Sequence, residues 1–278
     1  RKEHRFDMKP KTLIILITIA SGLAIWAFSK ITDSAFLVSD SGKAQESAVE
    51  DASQLLDVAI PSFLPSQIKE YEGFNLSFNS DNHTPNYVSW ELLPHETDGA
   101  QSRHDKFWQD PEINGCPASS DYTRSGYDRG HMCPAADQKW SEKAMTDCFV
   151  MANICPQDRR LNAGAWATLE KRERQWAEEK DGLIIVAGPI YEESDCLRIG
   201  ETNVRVPSAF FKAFLSHRGT DTEAVAFVYP NMPAHGQMRD YMMTIDELEK
   251  ITGFDFFHAL PDDIEDQTES TFNAKAWN

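Results

Sequence analysis

Apolar positions fall into short runs broken by turn residues, with one long amphipathic stretch between them. Residues 87–93 (Tyr-Val-Ser-Trp-Glu-Leu-Leu) mix β-branched and aromatic side chains over the length of a strand. Residues 183–187 (Leu-Ile-Ile-Val-Ala) are apolar throughout and stop at Gly188-Pro189. Residues 209–215 and 224–229 read as further strands, the second halted by Pro230. Residues 140–147 predict a short helix, residues 161–179 the clearest helix of the chain, and residues 246–252 another that ends at Gly253. These elements succeed one another without a regular β-α-β rhythm. The expected class is therefore α+β, a mixed, largely antiparallel sheet flanked by helices. No internal repeat is present.

The phase of the long helix matters. With Asn162 as origin and about 100° per residue, Trp166, Leu169, Trp176 and Ala165 fall within about 60° of it and form a core-facing stripe. Glu170, near about 80°, and Arg174, near about 120°, lie beside that stripe. Asn162, Glu170 and Arg174 then run along the border between core and solvent, where an amide, a carboxylate and a guanidinium can floor a cleft. The plainer reading makes Glu170 and Arg174 an i,i+4 surface pair worth about a few tenths of a kcal/mol.

The front of the chain differs. Residues 12–28 carry no charge and come after Lys9 and Lys11, at the short edge of the roughly 17–25 residues that span a bilayer. Residues 1–29 read as a signal or membrane anchor, 30–60 as a polar linker, 61–262 as the folded domain and 263–278 as an acidic C-terminal tail. Either N-terminal reading predicts export: bacterial periplasm, inner-membrane anchorage or secretion. The 278 residues, 41% hydrophobic with seven Trp, suffice for one well-buried domain. A net charge of −17 is awkward for binding polyanions. The surplus, however, concentrates at 40–57 and 262–269, and from Arg124 to Arg174 the signs nearly balance, leaving room for a locally basic cleft. Five Cys without a CxxC pair argue against a structural zinc site. The odd count leaves one unpaired unless the chain dimerises through it.

The densest chemistry is Asp128-Arg129-Gly130-His131. About thirty residues on come Asn153-Ile-Cys-Pro-Gln157, then Leu161-Asn162, Trp166 and Leu169-Glu170. A neutral His131 can act as a general base. Gly130 permits a tight bend or close backbone approach. The amide oxygen of Asn162, with Glu170 reaching through water, suits a hard cation such as Mg²⁺ that keeps most of its waters. A nearby Arg clamps phosphate. This set suits phosphodiester hydrolysis. No G-x-S-x-G elbow supports a serine triad. Cys133 lies two residues from His131, about 7 Å away in a strand, too far for direct activation.

These motifs resemble the DNA/RNA non-specific endonucleases of the ββα-metal (His-Me finger) class, the endonuclease G-like group. The resemblance runs from about Tyr87 to Leu260 and takes in Gly188-Pro189-Ile-Tyr191, Val206-Pro207 with Lys212, Pro230-Asn231 and Thr252-Gly253-Phe-Asp-Phe-Phe257. It implies a ββα-metal element with His131 on the hairpin and Asn162 opening the helix. It implies His131 as general base, Asn162 as the direct Mg²⁺ ligand (Mn²⁺ as substitute), Glu170 holding water at the metal, and Arg174 at the phosphate. Arg103, in Ser102-Arg-His-Asp-Lys-Phe107, resembles the arginine that contacts the scissile phosphate. Asp128, Arg129 and Gly130 would shape the loop. DNA and RNA would be cut to leave 5′-phosphates. Cys133 and Cys155 flank the catalytic segments and either pair or pack as small apolar groups. Further partners weighed are the membrane, through an uncleaved N-terminus, and a second copy of the chain. The competing functions are an inactive binding module on this fold and hydrolysis of another phosphodiester.

Overall fold

The computed structural model describes residues 52–192, 197–218 and 222–278. The apolar run 12–28 and most of the stretch 30–60 lie outside the described residues. The strands are β1 (Gln67–Glu70), β2 (Asn75–Asn79), β3 (Thr84–Leu92), β4 (Asp128–His131), β5 (Ile154–Gln157) and β6 (Leu183–Ile190). They continue with β7 (Arg198–Ile199), β8 (Val204–Arg205), β9 (Ala209–Ser216), β10 (Glu223–Pro230) and β11 (Met242–Met243). One seven-stranded sheet has the order β1-β2-β3-β6-β9-β10-β11. Each of its ladders is antiparallel. The expected α+β class with a largely antiparallel sheet holds, and among the described residues parallel pairing occurs at an isolated bridge between Trp108 and Val150.

The sheet is covered on both faces, which explains the unbroken apolar runs in its central strands. Along β10, Val225, Phe227 and Tyr229 enter one core while Ala224, Ala226 and Val228 enter the other. The second core is closed by helices Ile245–Thr252 and Asp262–Ser270. In the first of these, the Thr244 hydroxyl accepts from the Glu247 N–H at 3.1 Å, and Gly253 takes the left-handed φ of 71° that ends it.

The expected boundaries move outward at both ends. Leu55 and Val58 are buried and Ala59 bridges Asp255, so residues 52–60 belong to the body rather than to a linker. Residues 263–278 are no free tail. They hold most of the helix Asp262–Ser270 and end against the core at Trp277, whose ring lies 5.2 Å from that of Trp176. The acidic run Asp262, Asp263 and Glu265 sits in a helix's first turn, where the dipole favours negative charge.

The expected helix 161–179 is interrupted. Arg159–Leu161 is one turn capped by Asp158, Asn162–Trp166 is a π-helical segment, and Ala167–Glu179 is regular. Gly164 breaks it, at φ −112° and ψ −105°. Turn-long π insertions shift the phase of the helix beyond them and recur at functional sites.

Candidate active site

Strands β4 and β5 stand apart from the large sheet as a two-stranded pair, with Asp128 opposite Gln157, Gly130 opposite Cys155 and His131 opposite Ile154. The chain leaves β5 directly into the turn at Asp158 and the interrupted helix, giving a strand–strand–helix unit. Asn231 pins its corner. Its Oδ1 accepts from the Asp158 N–H at 2.7 Å, and its Nδ2 donates to the carbonyls of Pro156 and Pro207. Asn153 does the same on the other side, bonding both backbone groups of Cys133 and the carbonyl of Cys148. Gly130 is required by close approach rather than by a bend. A Cβ there would lie 2.6 Å from the Cβ of Gln157, which cannot swing away.

His131 is buried between two rings, 5.0 Å from that of Phe149 and 5.5 Å from that of Phe107. Its Nε2 is enclosed and has no hydrogen-bond partner, and its carbonyl accepts from Trp166 Nε1 at 3.3 Å, fastening strand to helix. Burial, reinforced by the positive charge of Arg103, pushes the imidazole down to about 3. It is therefore neutral across the physiological range. Arg103 lies over the other ring contact, its guanidinium 5.2 Å from the centroid of Phe149, and more than half of its side chain is exposed.

On the helix side, Asn162 donates from Nδ2 to Asp128 Oδ2 at 3.1 Å. This fixes the amide through its nitrogen and leaves the Oδ1 lone pairs to face a cation. Glu170 is half-buried, and desolvation raises its carboxyl to about 7, opposed chiefly by Lys212. Two oxygen-bearing side chains, an amide and a carboxyl that gains from a cationic neighbour, match what hard ions such as Mg²⁺ or Mn²⁺ accept. Arg174 does not form the i,i+4 surface pair with Glu170. It turns to the fully buried Asp137, Nη1 to Oδ1 at 2.8 Å, while Asp137 Oδ2 accepts from Trp90 Nε1 at 3.1 Å. Arg129 braces the loop, donating to the Ser119 carbonyl and lying over the rings of Phe107 and Tyr122. Cys133 and Cys155 are free and buried, and burial holds both thiols well above their usual range. The pairing weighed from the sequence is not formed. Cys196 lies outside the described residues.

Beneath this floor is an ion pair that the motifs alone do not announce. Lys212 Nζ donates to Glu173 Oε2 at 2.7 Å with both side chains fully buried, and the ammonium sits over the rings of Trp90 and Trp166. Its signal was present: Glu173 falls near about 20° on the same helical wheel, inside the apolar stripe, and Lys212 occupies an inward position of an otherwise apolar strand. Two opposite charges each forced into a core predict one another.

The profile of the DNA/RNA non-specific endonuclease family matches residues 51–263. The mitochondrial nuclease EXOG of Danio rerio is 32% identical over 207 residues, 68% of this chain and 60% of that protein. The mitochondrial endonuclease G of Homo sapiens is 30% identical over 206 residues, 69% of each. The match thus spans less than two-thirds of the length of the EXOG relative. The crystal structure of the EndoG/EndoGI complex contains a chain with the same fold, at TM-score 0.66 and 24% identity, covering 75% of this chain and 91% of that one.

Proposed function

Because the chain belongs to the DNA/RNA non-specific endonuclease family, we propose that it hydrolyses phosphodiester bonds of DNA and RNA and leaves 5′-phosphates. The observation that carries this reading is His131. It is a buried, neutral imidazole beside the Arg103 cation, on a strand whose first residue holds the amide of Asn162.

In this reading His131 accepts the proton of the attacking water. Its Nε2 is sealed in the protein, so the proton is taken at Nδ1, the other ring nitrogen. The lowered proton affinity keeps the imidazole in its base form near neutral pH. A phosphate drawn against Arg103 offsets that cation, which raises the affinity of the imidazole for a proton when substrate is bound. Arg103 is the exposed guanidinium of the site and orients the phosphate. Asn162, through Oδ1, and Glu170, through water, would hold Mg²⁺ or Mn²⁺, which when bound supplies Lewis-acid stabilisation of the leaving oxygen. Arg174, held at Nη1 by Asp137, places its positive charge beside Glu170 and keeps that carboxyl ionisable. Asp128 sets the amide of Asn162, and Arg129 sets the loop.

The test is to incubate the full chain with plasmid and with single-stranded RNA, with Mg²⁺, Mn²⁺ or EDTA, and to label the product ends by kinase with and without prior phosphatase. Cleavage of both polymers only with metal, with labelling only after phosphatase, is expected. No cleavage, or free 5′-hydroxyl ends, overturns the reading.

A further inference from the structure

On the opposite side of the sheet, in the second core's helical cover, carboxylate oxygens of Asp246, Glu249 and Glu269 lie within 4.8 Å of one another. Asp246 and Glu249 belong to the helix Ile245–Thr252 and Glu269 to the last turn of the helix Asp262–Ser270. Glu269 is 5% exposed, and its Oε1 is enclosed without a hydrogen-bond partner. A buried carboxylate oxygen with no donor costs the desolvation of that atom unless something positive reaches it.

The protein supplies little that could. Glu249 Oε1 accepts the Phe256 N–H at 2.9 Å. Among the described residues, the cation paired with the cluster is Lys250, 3.8 Å from Asp246 Oδ2 and well exposed. Burial, with the negative charges of Glu249, Glu265, Asp255 and Asp246 around it, pushes the Glu269 carboxyl up to about 9. Position adds to the deficit, because the last turn of a helix presents unpaired carbonyls and repels an acid.

We propose that Asp246, Glu249 and Glu269 form a binding site for a hard divalent cation of the Ca²⁺ class, separate from the catalytic floor, that clamps the two helices together. Metal–oxygen distances of about 2.3–2.6 Å let one ion contact three oxygens spread over about 5 Å. Ca²⁺ tolerates irregular carboxylate cages, whereas Mg²⁺ demands a near-octahedral shell at shorter distances. Bound cation supplies the partner that Glu269 Oε1 lacks and links the C-terminal helix to the body.

The experiment is thermal unfolding of the EDTA-stripped full chain against CaCl₂, with MgCl₂ as a second arm, on wild type, Glu269→Gln, Glu249→Gln and Asn162→Ala. Because a ligand that binds only the folded state raises Tm in proportion to ln(1 + [L]/Kd), low-millimolar Ca²⁺ should raise the Tm of wild type and of Asn162→Ala by several degrees. The rise should vanish in both Gln variants. Mg²⁺ should act more weakly at this site. No response of the wild type to any divalent ion overturns the proposal. So does a Ca²⁺ response retained in Glu269→Gln and Glu249→Gln, or one lost in Asn162→Ala, which would trace the effect to the catalytic floor.

Discussion

Asn162 Nδ2 donates to Asp128 Oδ2 at 3.1 Å, across 34 residues of sequence. The bond joins the start of β4 to the start of the π-helical segment and engages the amide nitrogen of Asn162 rather than its oxygen. A carboxylate that orients a metal ligand without touching the metal typically sets affinity about 10–100-fold. Asp128→Ala is therefore expected to raise the half-saturating Mg²⁺ concentration by about that factor. Activity titrated against Mg²⁺, beside an unfolding curve, checks this. An unchanged Mg²⁺ requirement with lower activity would contradict it.

The Lys212–Glu173 pair makes a prediction about stability. Removing one partner of a buried ion pair leaves an uncompensated charge and costs about 3–5 kcal/mol, whereas replacing both by apolar groups is often neutral. Lys212→Met should fall in that range by urea unfolding, and Lys212→Met with Glu173→Leu should recover most of the loss. Equal losses in the single and double variants would show that the pair is not coupled as the 2.7 Å contact implies.

The central strands and the segments that build the candidate site were legible in the sequence for a physical reason. The central strands are covered on both faces and so read as continuous apolar runs, and His131, Asn162 and Glu170 lie in motifs of high chemical density. The features that were not legible depended on the third dimension. The π-helical insertion at Gly164 defeats a constant angle per residue, so Asn162 cannot be placed by the wheel that places Leu169 and Trp176. Arg174 looks like a partner for Glu170 by spacing, yet Asp137, thirty-seven residues away, is fully buried and takes its guanidinium instead. The edge strand β1, its neighbour β2 and the two-residue strands lack a long apolar run that would mark them in the sequence. The C-terminal acidic stretch reads as solvated until Trp277 is seen to dock on Trp176.

The pH dependence rests on two opposite shifts. Glu170 is raised from 4.5 to about 7, so its carboxyl must lose a proton near neutrality to serve a cation. At limiting Mg²⁺, kcat/KM should rise through about pH 7, and the midpoint should move to lower pH as Mg²⁺ increases, because metal competes with the proton. His131, lowered from 6.5 to about 3, should contribute no limb in that range. Stability carries the matching signs. Glu170, whose folded pKa is raised, costs stability as pH climbs from 4.5 to about 7, and Glu170→Gln should remove that slope. His131, whose folded pKa is lowered, gives stability that is present above 6.5 and lost as pH falls toward about 3. Unfolding curves across about pH 4–8 check both slopes.

The central claim is that His131 takes the proton from the attacking water. The most direct measurement is the rate of plasmid cleavage at saturating Mg²⁺ by His131→Ala against the native chain, with folding verified by unfolding curves. A loss of about 10²–10⁴-fold with little change in the Mg²⁺ requirement is expected of a removed general base. Cleavage by His131→Ala at the native rate would contradict it.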